Sequence, residues 1–196
     1  MNGLRPRLIL ASASPRRRQL LTEAGYEFEI VPPEVEELHS GKLTVREATA
    51  YNALRKGLAV ARMHPRQVVL AADTLVALDH HLIGKPTDLA DAARLLRLLS
   101  GRAHVVASGV FIAHLHSGKS IAFSVLSRVV FKNLNEEMIA DYFTKIDPLD
   151  KAGAYAAQGK GSAIISRILG SRSNVIGLPL EKTRSALALF GIQPQS

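Results

Sequence analysis

Five places in the chain put reactive side chains where ordinary secondary structure would not choose them. The first is residues 8–18, Leu-Ile-Leu-Ala-Ser-Ala-Ser-Pro-Arg-Arg-Arg. An apolar run turns at Ser12–Ser14; Ser14 then stands at a helix cap and Pro15 at the first helical position. Arg16, Arg17 and Arg18 fill the first turn. A helix carries about half a positive charge at that end, so each arginine costs roughly 0.3–1 kcal/mol when nothing anionic is present. Free amides and forked guanidinium donors both suit phosphate. The alternative is a solvated charge cluster. The second place is Asp73, within the apolar segment 68–78. A carboxylate is disfavoured in a strand and expensive to bury unpaired. A metal, a cation or a substrate proton compensates it, or Asp73 caps amides in a turn between two short strands, 68–72 and 75–78. Thr74 beside it also reads as an ordinary strand threonine.

The other three are loops. Glu34, Glu36 and Glu37 follow Pro32-Pro33. They read as oxygen donors for a hard cation such as Mg²⁺, or as a solvated acidic loop. Gly84-Lys85-Pro86 holds a lysine beside a rigid proline, either a point-charge phosphate partner or a surface lysine at a hairpin end. Residues 150–159, Asp-Lys-Ala-Gly-Ala-Tyr-Ala-Ala-Gln-Gly, let a ligand approach the backbone closely. Gln158 there has the paired donor and acceptor that read a base edge; the other reading is a tight loop packed for its own sake. Gly159-Lys160-Gly161 lacks the spacing of a phosphate loop. Ser108-Gly109 lies in a β run and is no nucleophile elbow. His80-His81 falls in a turn, and His114 and His116 share a solvated strand face.

The elements that must position these residues alternate, which predicts an α/β fold in a single domain, residues 1–196. Strands are expected at 7–11 and 28–31, with a loop over 34–42. A helix follows Thr44-Val45-Arg46-Glu47, a capping box, with an apolar stripe from Val45 to Ala61. Thr87 is the expected cap of a helix ending at Leu99. Two long strands, 104–116 and 120–131, form a hairpin. Asn135 caps a helix to about Lys145, residues 163–168 read as a strand, and 180–190 form the last helix.

Composition narrows the chemistry. With 196 residues, 47% of them hydrophobic and 21% charged, the chain can bury a core unaided. Cysteine is absent, which excludes a thiol nucleophile, a zinc–thiolate site and disulfides. No apolar run reaches the 18 or so residues of a membrane helix. The apolar residues 8–11 are cut off too soon for a signal-peptide core, so the expectation is a soluble, cytoplasmic protein. The net charge of +8 points to an anionic partner, a nucleic acid or a phosphorylated small molecule, or to nothing specific. Aromatic residues are 5% and tryptophan is absent, so base-stacking platforms are few and nucleic acid is a poor fit.

In order and spacing, the motifs resemble the Maf family of nucleoside triphosphate pyrophosphatases, also called septum-formation inhibitors. The similarity rests on Leu10-Ala-Ser-Ala-Ser-Pro-Arg-Arg-Arg18, Ala72-Asp-Thr-Leu-Val76, Gly84-Lys-Pro86, Leu99-Ser-Gly101 and Gly177-Leu-Pro179, and runs from about Leu8 to Phe190. The segment from Asp150 to Gly159 is similar to the branch acting on dTTP and UTP, not the sister branch acting on 7-methyl-GTP. The resemblance implies a long, twisted mixed β-sheet flanked by helices, with two lobes around a central cleft as in Maf and ITPase-like proteins. It implies release of pyrophosphate from a nucleoside triphosphate, a divalent cation (Mg²⁺ or Mn²⁺), and a homodimer as a common state. It also implies a part in division arrest and nucleotide-pool sanitation. Asp73 matches the family's proton acceptor. Arg16, Thr74 and Gln158 match its specificity positions. Ser12, Arg17, Glu37, Lys56 and Lys85 match its phosphate and metal site, with Glu37 and Asp73 on the metal. The chain departs from the pattern at Gly57, usually alanine and expected to loosen its helix by up to about 1 kcal/mol, and at Arg172, commonly aromatic. The competing readings are a 7-methyl-GTP pyrophosphatase and a basic nucleic-acid-binding division regulator.

Overall fold

Among the described residues of this computed structural model, 7–38 and 42–195, seven strands build one mixed sheet. Residues 39–41 of the predicted loop lie outside them. In chain order the elements are β1 (Leu8–Ala11), α1 (Pro15–Glu23), β2 (Glu29–Ile30), α2 (Val45–Met63), β3 (Val68–Leu78), β4 (His81–Ile83), α3 (Leu89–Leu99), β5 (Ala103–His114), β6 (Lys119–Phe131), α4 (Glu136–Phe143), β7 (Ile165–Leu169), α5 (Arg172–Ile176) and α6 (Leu180–Ala188). Strand order is β2-β1-β3-β5-β6-β7, with β4 also on β3. The first three strands are parallel and the remaining pairs antiparallel. No helix is long and apolar enough to cross a membrane.

Register decides where the sheet opens. On one edge of β3, β1 pairs only as far as Ala71 and β4 begins at Val76. The stretch from Ala72 to Leu75 has no strand on that side, while β5 pairs β3 from Val69 to Ala77 on the other. Asp73 and Thr74 sit at this gap, so β3 is one unbroken strand and not two strands with a turn between. The continuous β5 ladder overrides the poor strand propensity of aspartate.

Alternation along β3 sends its side chains to two different layers. Ala71, Val69 and Phe111 of β5 pack under α2. On the opposite face two apolar clusters lie end to end. One joins Leu10, Leu70 and Ile112 to α1 and α6; the other joins Val76, Val106 and Phe131 to α3 and α4. Thr74 and Ser108, paired across β3 and β5, fall between them. Thr74 borders the cavity between these two clusters, and Ser108 is buried behind it.

Two glycines bring α2 close. A Cβ on Gly109, which faces Asp73 in register, would lie 2.3 Å from the Thr49 carbonyl oxygen of α2. A Cβ on Gly57 would lie 2.3 Å from the Phe111 ring. Glycine after Lys56 therefore makes room for Phe111, and α2 runs without interruption through it.

Local signals fared unevenly. The Thr44–Glu47 capping box and the Asn135 cap form as expected. The cap of α3 is Asp88, not Thr87: its carboxylate accepts from Asp91 N–H at 2.7 Å, a stronger acceptor for a helix start than a hydroxyl. Ser14 occupies the cap position of α1, but its side chain does not cap; its N–H donates to Ser12 Oγ instead. The last strand starts at Ile165, because residues 159–164 coil into a 3₁₀ turn. The short α5, capped by Ser171, is an element the periodicity did not predict.

Two outcomes follow from this packing. Gly109→Ala forces α2 off the sheet and should lower the unfolding free energy by about 1–3 kcal/mol, read by thermal or urea denaturation. His104, buried on β5, is pushed down by desolvation to about 4. Its neutral form is the one folded protein favours, so its contribution is complete above pH 6.5 and is lost as pH falls towards 4. At roughly 1.4 kcal/mol per pH unit that loss sums to about 3 kcal/mol. Stability measured between pH 7 and 4.5 should therefore fall less steeply in His104→Leu than in the parent chain.

Candidate active site

Asp73 points from the gap in β3 into the layer under α2. Its side chain is 4% exposed, and it has two partners from one helix face. Lys56 Nζ lies 2.7 Å from Oδ1, and Asn52 Nδ2 donates to Oδ2 at 3.1 Å. The four-residue spacing of Asn52 and Lys56 places both on the same side of α2. Lys56 also reaches Glu37 Oε1 at 2.6 Å, so one ammonium bridges two carboxylates. Asn52 does further work on the acidic loop. It accepts from Leu38 N–H at 2.9 Å and donates to the Leu38 carbonyl at 3.2 Å. Arg55 donates to the Glu36 carbonyl. α2 therefore holds Glu37 in place through the backbone on either side of it.

The cationic wall comes from α1. Arg17 donates from Nε to the Gly177 carbonyl at 2.9 Å, from Nη1 to Ser12 Oγ at 3.1 Å and from Nη2 to Thr74 Oγ1 at 3.1 Å. Three of its five N–H donors are thus committed and two remain. Desolvation lowers the affinity of this guanidinium for its proton, and the Asp73 charge opposes that shift. Thr74 is fixed in turn. Ser108 donates to the Asn174 carbonyl at 3.0 Å, and Thr74 Oγ1 lies 2.8 Å from Ser108 Oγ and 3.3 Å from the Gly177 carbonyl oxygen. Asn174 ties α5 to the sheet through Val106 O and Ser127 Oγ. Thr74 thus presents its hydroxyl to Arg17 from a fixed place on β3. Arg16 pairs with Asp150 at 3.3 Å across the cleft.

These groups line one cavity of about 420 Å³. Ser12, Arg16, Arg17, Glu37, Lys56, Asp73, Thr74 and Lys85 all border it. Lys85 is exposed there and pairs with nothing among the described residues. Gln158 is half-buried and lies just past the lining residues Ala156 and Ala157. Arg18 faces solvent away from the cavity. So do Glu34 and Glu36, which reduces the acidic cluster to Glu37. Sequence reasoning missed Asn52, Ser108 and Asn174. All three are fully buried polar side chains, a signal that appears only once burial is known. Five cationic side chains and three carboxylates border the cavity, an excess of two positive charges.

A family model described as Maf-like protein matches residues 7–190. The chain belongs to the Maf family. The Maf relatives include proteins named dTTP/UTP pyrophosphatase from Bacillus mycoides, 44% identical over 94% of this chain and 95% of the relative, and from Akkermansia muciniphila, 43% identical over 95% and 97%. One from Dictyoglomus thermophilum is 41% identical over 96% and 98%. Among solved structures, the Staphylococcus aureus Ham1 protein superposes with a TM-score of 0.50 at 15% identity, covering 93% of this Maf chain and 98% of its own. That likeness concerns the fold.

Asn52 supplies the test of this site. Asn52→Ala strips Asp73 Oδ2 of its amide donor and frees the Leu38 backbone. A lost hydrogen bond to a charged group is worth about 1.5–3 kcal/mol. The variant should lose about tenfold or more in kcat/KM, and should melt at lower temperature than the parent chain.

Proposed function

We propose that this chain is a nucleoside triphosphate pyrophosphatase that cleaves dTTP and UTP to the monophosphate and pyrophosphate. One observation carries the reading: the cationic start of α1 and the in-strand carboxylate Asp73 border the same cavity. The names of the relatives support the pyrimidine substrates.

The chemistry follows from the residues. Phosphoryl transfer is chiefly positioning and charge neutralisation. The free donors of Arg17, with Arg16 and Lys85, clamp the phosphate chain. Arg16 exchanges Asp150 for phosphate. Asp73 keeps unused lone pairs beyond its bonds to Lys56 and Asn52, and one of them accepts a proton from the attacking water. The water oxygen bonds to the α-phosphorus, the bond to the bridging oxygen breaks, and that oxygen leaves with pyrophosphate. Gln158 pairs with O4 and N3–H of uracil or thymine; cytosine presents the reverse order of donor and acceptor.

A divalent cation fits the donor set. Glu37 and Asp73 converge on one ammonium, within 2.7 Å of it, and Mg²⁺ usually takes one or two carboxylates plus substrate phosphates. A triphosphate carries about four negative charges. With a dication it retains about two, equal to the cavity's excess. Glu37 and Asp73 would hold the ion, Mg²⁺ or Mn²⁺, which would polarise the phosphoryl oxygens.

The assay is pyrophosphate release from purified protein with Mg²⁺ across dTTP, UTP, CTP, the purine triphosphates and 7-methyl-GTP. Turnover should concentrate on dTTP and UTP, and Asp73→Asn should abolish it. Equal inactivity on dTTP and UTP refutes the substrate; full turnover by Asp73→Asn refutes its role as base.

A further inference from the structure

The segment from Lys151 to Ile164 holds two short 3₁₀ turns, Ala152–Ala154 and Gly159–Ile164, and it forms one wall of the cavity through Tyr155, Ala156 and Ala157. Its backbone is strained. Ala154, fully buried, sits at φ 60°, in the left-handed region that alanine avoids. Such a conformation persists only where the surroundings over-determine it. Four buried side chains, Tyr142, Tyr155, His104 and Phe131, hold the segment around it. The Tyr142 hydroxyl accepts from Ala156 N–H at 3.2 Å and donates to the Gly161 carbonyl at 2.9 Å, drawing the two ends of the wall together. The Tyr155 hydroxyl meets His104 Nε2 at 2.9 Å beneath the cavity. The His104, Tyr155 and Phe131 rings stack edge to face, 4.8–5.3 Å apart.

We propose that Tyr142 and His104 are positioning residues for nucleotide selection, which suspend the wall from Tyr155 to Gln158 at the height where Gln158 meets the base. Neither touches the phosphate-binding side. The Tyr142 bonds bracket Gln158, two residues before it and three after, so a shift of the wall moves its amide directly. His104 leaves Nδ1 buried without a hydrogen-bond partner. A purely structural site would favour an apolar ring there, since an unsatisfied buried nitrogen is destabilising. What the histidine adds is the directed bond to Tyr155. This inference rests on the pyrimidine-nucleotide reading above.

The test measures kcat and KM for dTTP, UTP and CTP on the parent chain, Tyr142→Phe and the double variant His104→Leu/Tyr155→Phe. The double variant removes both partners of one hydrogen bond, so it leaves no orphaned group and is expected to fold. A melting curve on each sample accompanies the kinetics. Both variants should raise KM for dTTP about 3- to 10-fold with kcat within about twofold, and should lower the preference for dTTP over CTP by a similar factor. His104→Gln, whose amide can still reach the Tyr155 hydroxyl, should recover part of that preference. Folded variants that keep the parent KM and the parent preference overturn the proposal. Inactivity of the parent chain on dTTP and UTP instead overturns the functional reading, and this inference with it.

Discussion

A single ammonium, Lys56 Nζ, lies between two carboxylates, and much of the molecule is arranged to put it there. Asp73 projects from a strand into a nearly dry layer, where an unpaired charge is untenable. Removing one partner of such a buried pair costs about 3–5 kcal/mol. The pair forms only if α2 lies almost in contact with the sheet. That approach needs the bare backbone of Gly109 under Thr49 and of Gly57 over Phe111. It also needs Asn52 one turn before Lys56, which shares Asp73 and holds the acidic loop by its backbone. Strand, helix and loop are locked together by one charge balance.

The opposite wall is built on a different logic. Arginines at a helix start repel the dipole. Here Arg17 is turned onto Ser12, Thr74 and the Gly177 carbonyl, with α5 and Asn174 fixing those acceptors from behind. The guanidinium is oriented before any phosphate arrives, so little reorganisation is left for the reaction itself. Asp73 is served by the layer under α2, and Thr74, the next residue, by the layer under α5. Because β1 stops at Ala71 and β4 starts at Val76, both faces reach the same opening.

Short-range signals were readable. The Thr44–Glu47 capping box, the Asn135 cap and the long hairpin depend on residues a few positions apart, and each formed. The ordered motifs named the family and most residues around the cavity. Signals that compete locally were misjudged. Asp88 displaced Thr87 as a cap, and Ser14 stood at a cap position without capping.

From the chain alone came the α/β class, the cationic helix start, the misplaced acid and the family. Folding decided the rest: that β3 runs straight through Asp73, that its edge is open for four residues, that Thr74 serves Arg17, and that Asn52, Ser108 and Asn174 hold the site. The pairs Asn52–Asp73, Arg17–Thr74, Ser108–Asn174 and Asn174–Val106 stand 21 to 68 residues apart. Polar residues at such separations leave no periodic trace in a sequence. Only burial, which strips away water and obliges every donor to find an acceptor, makes them visible.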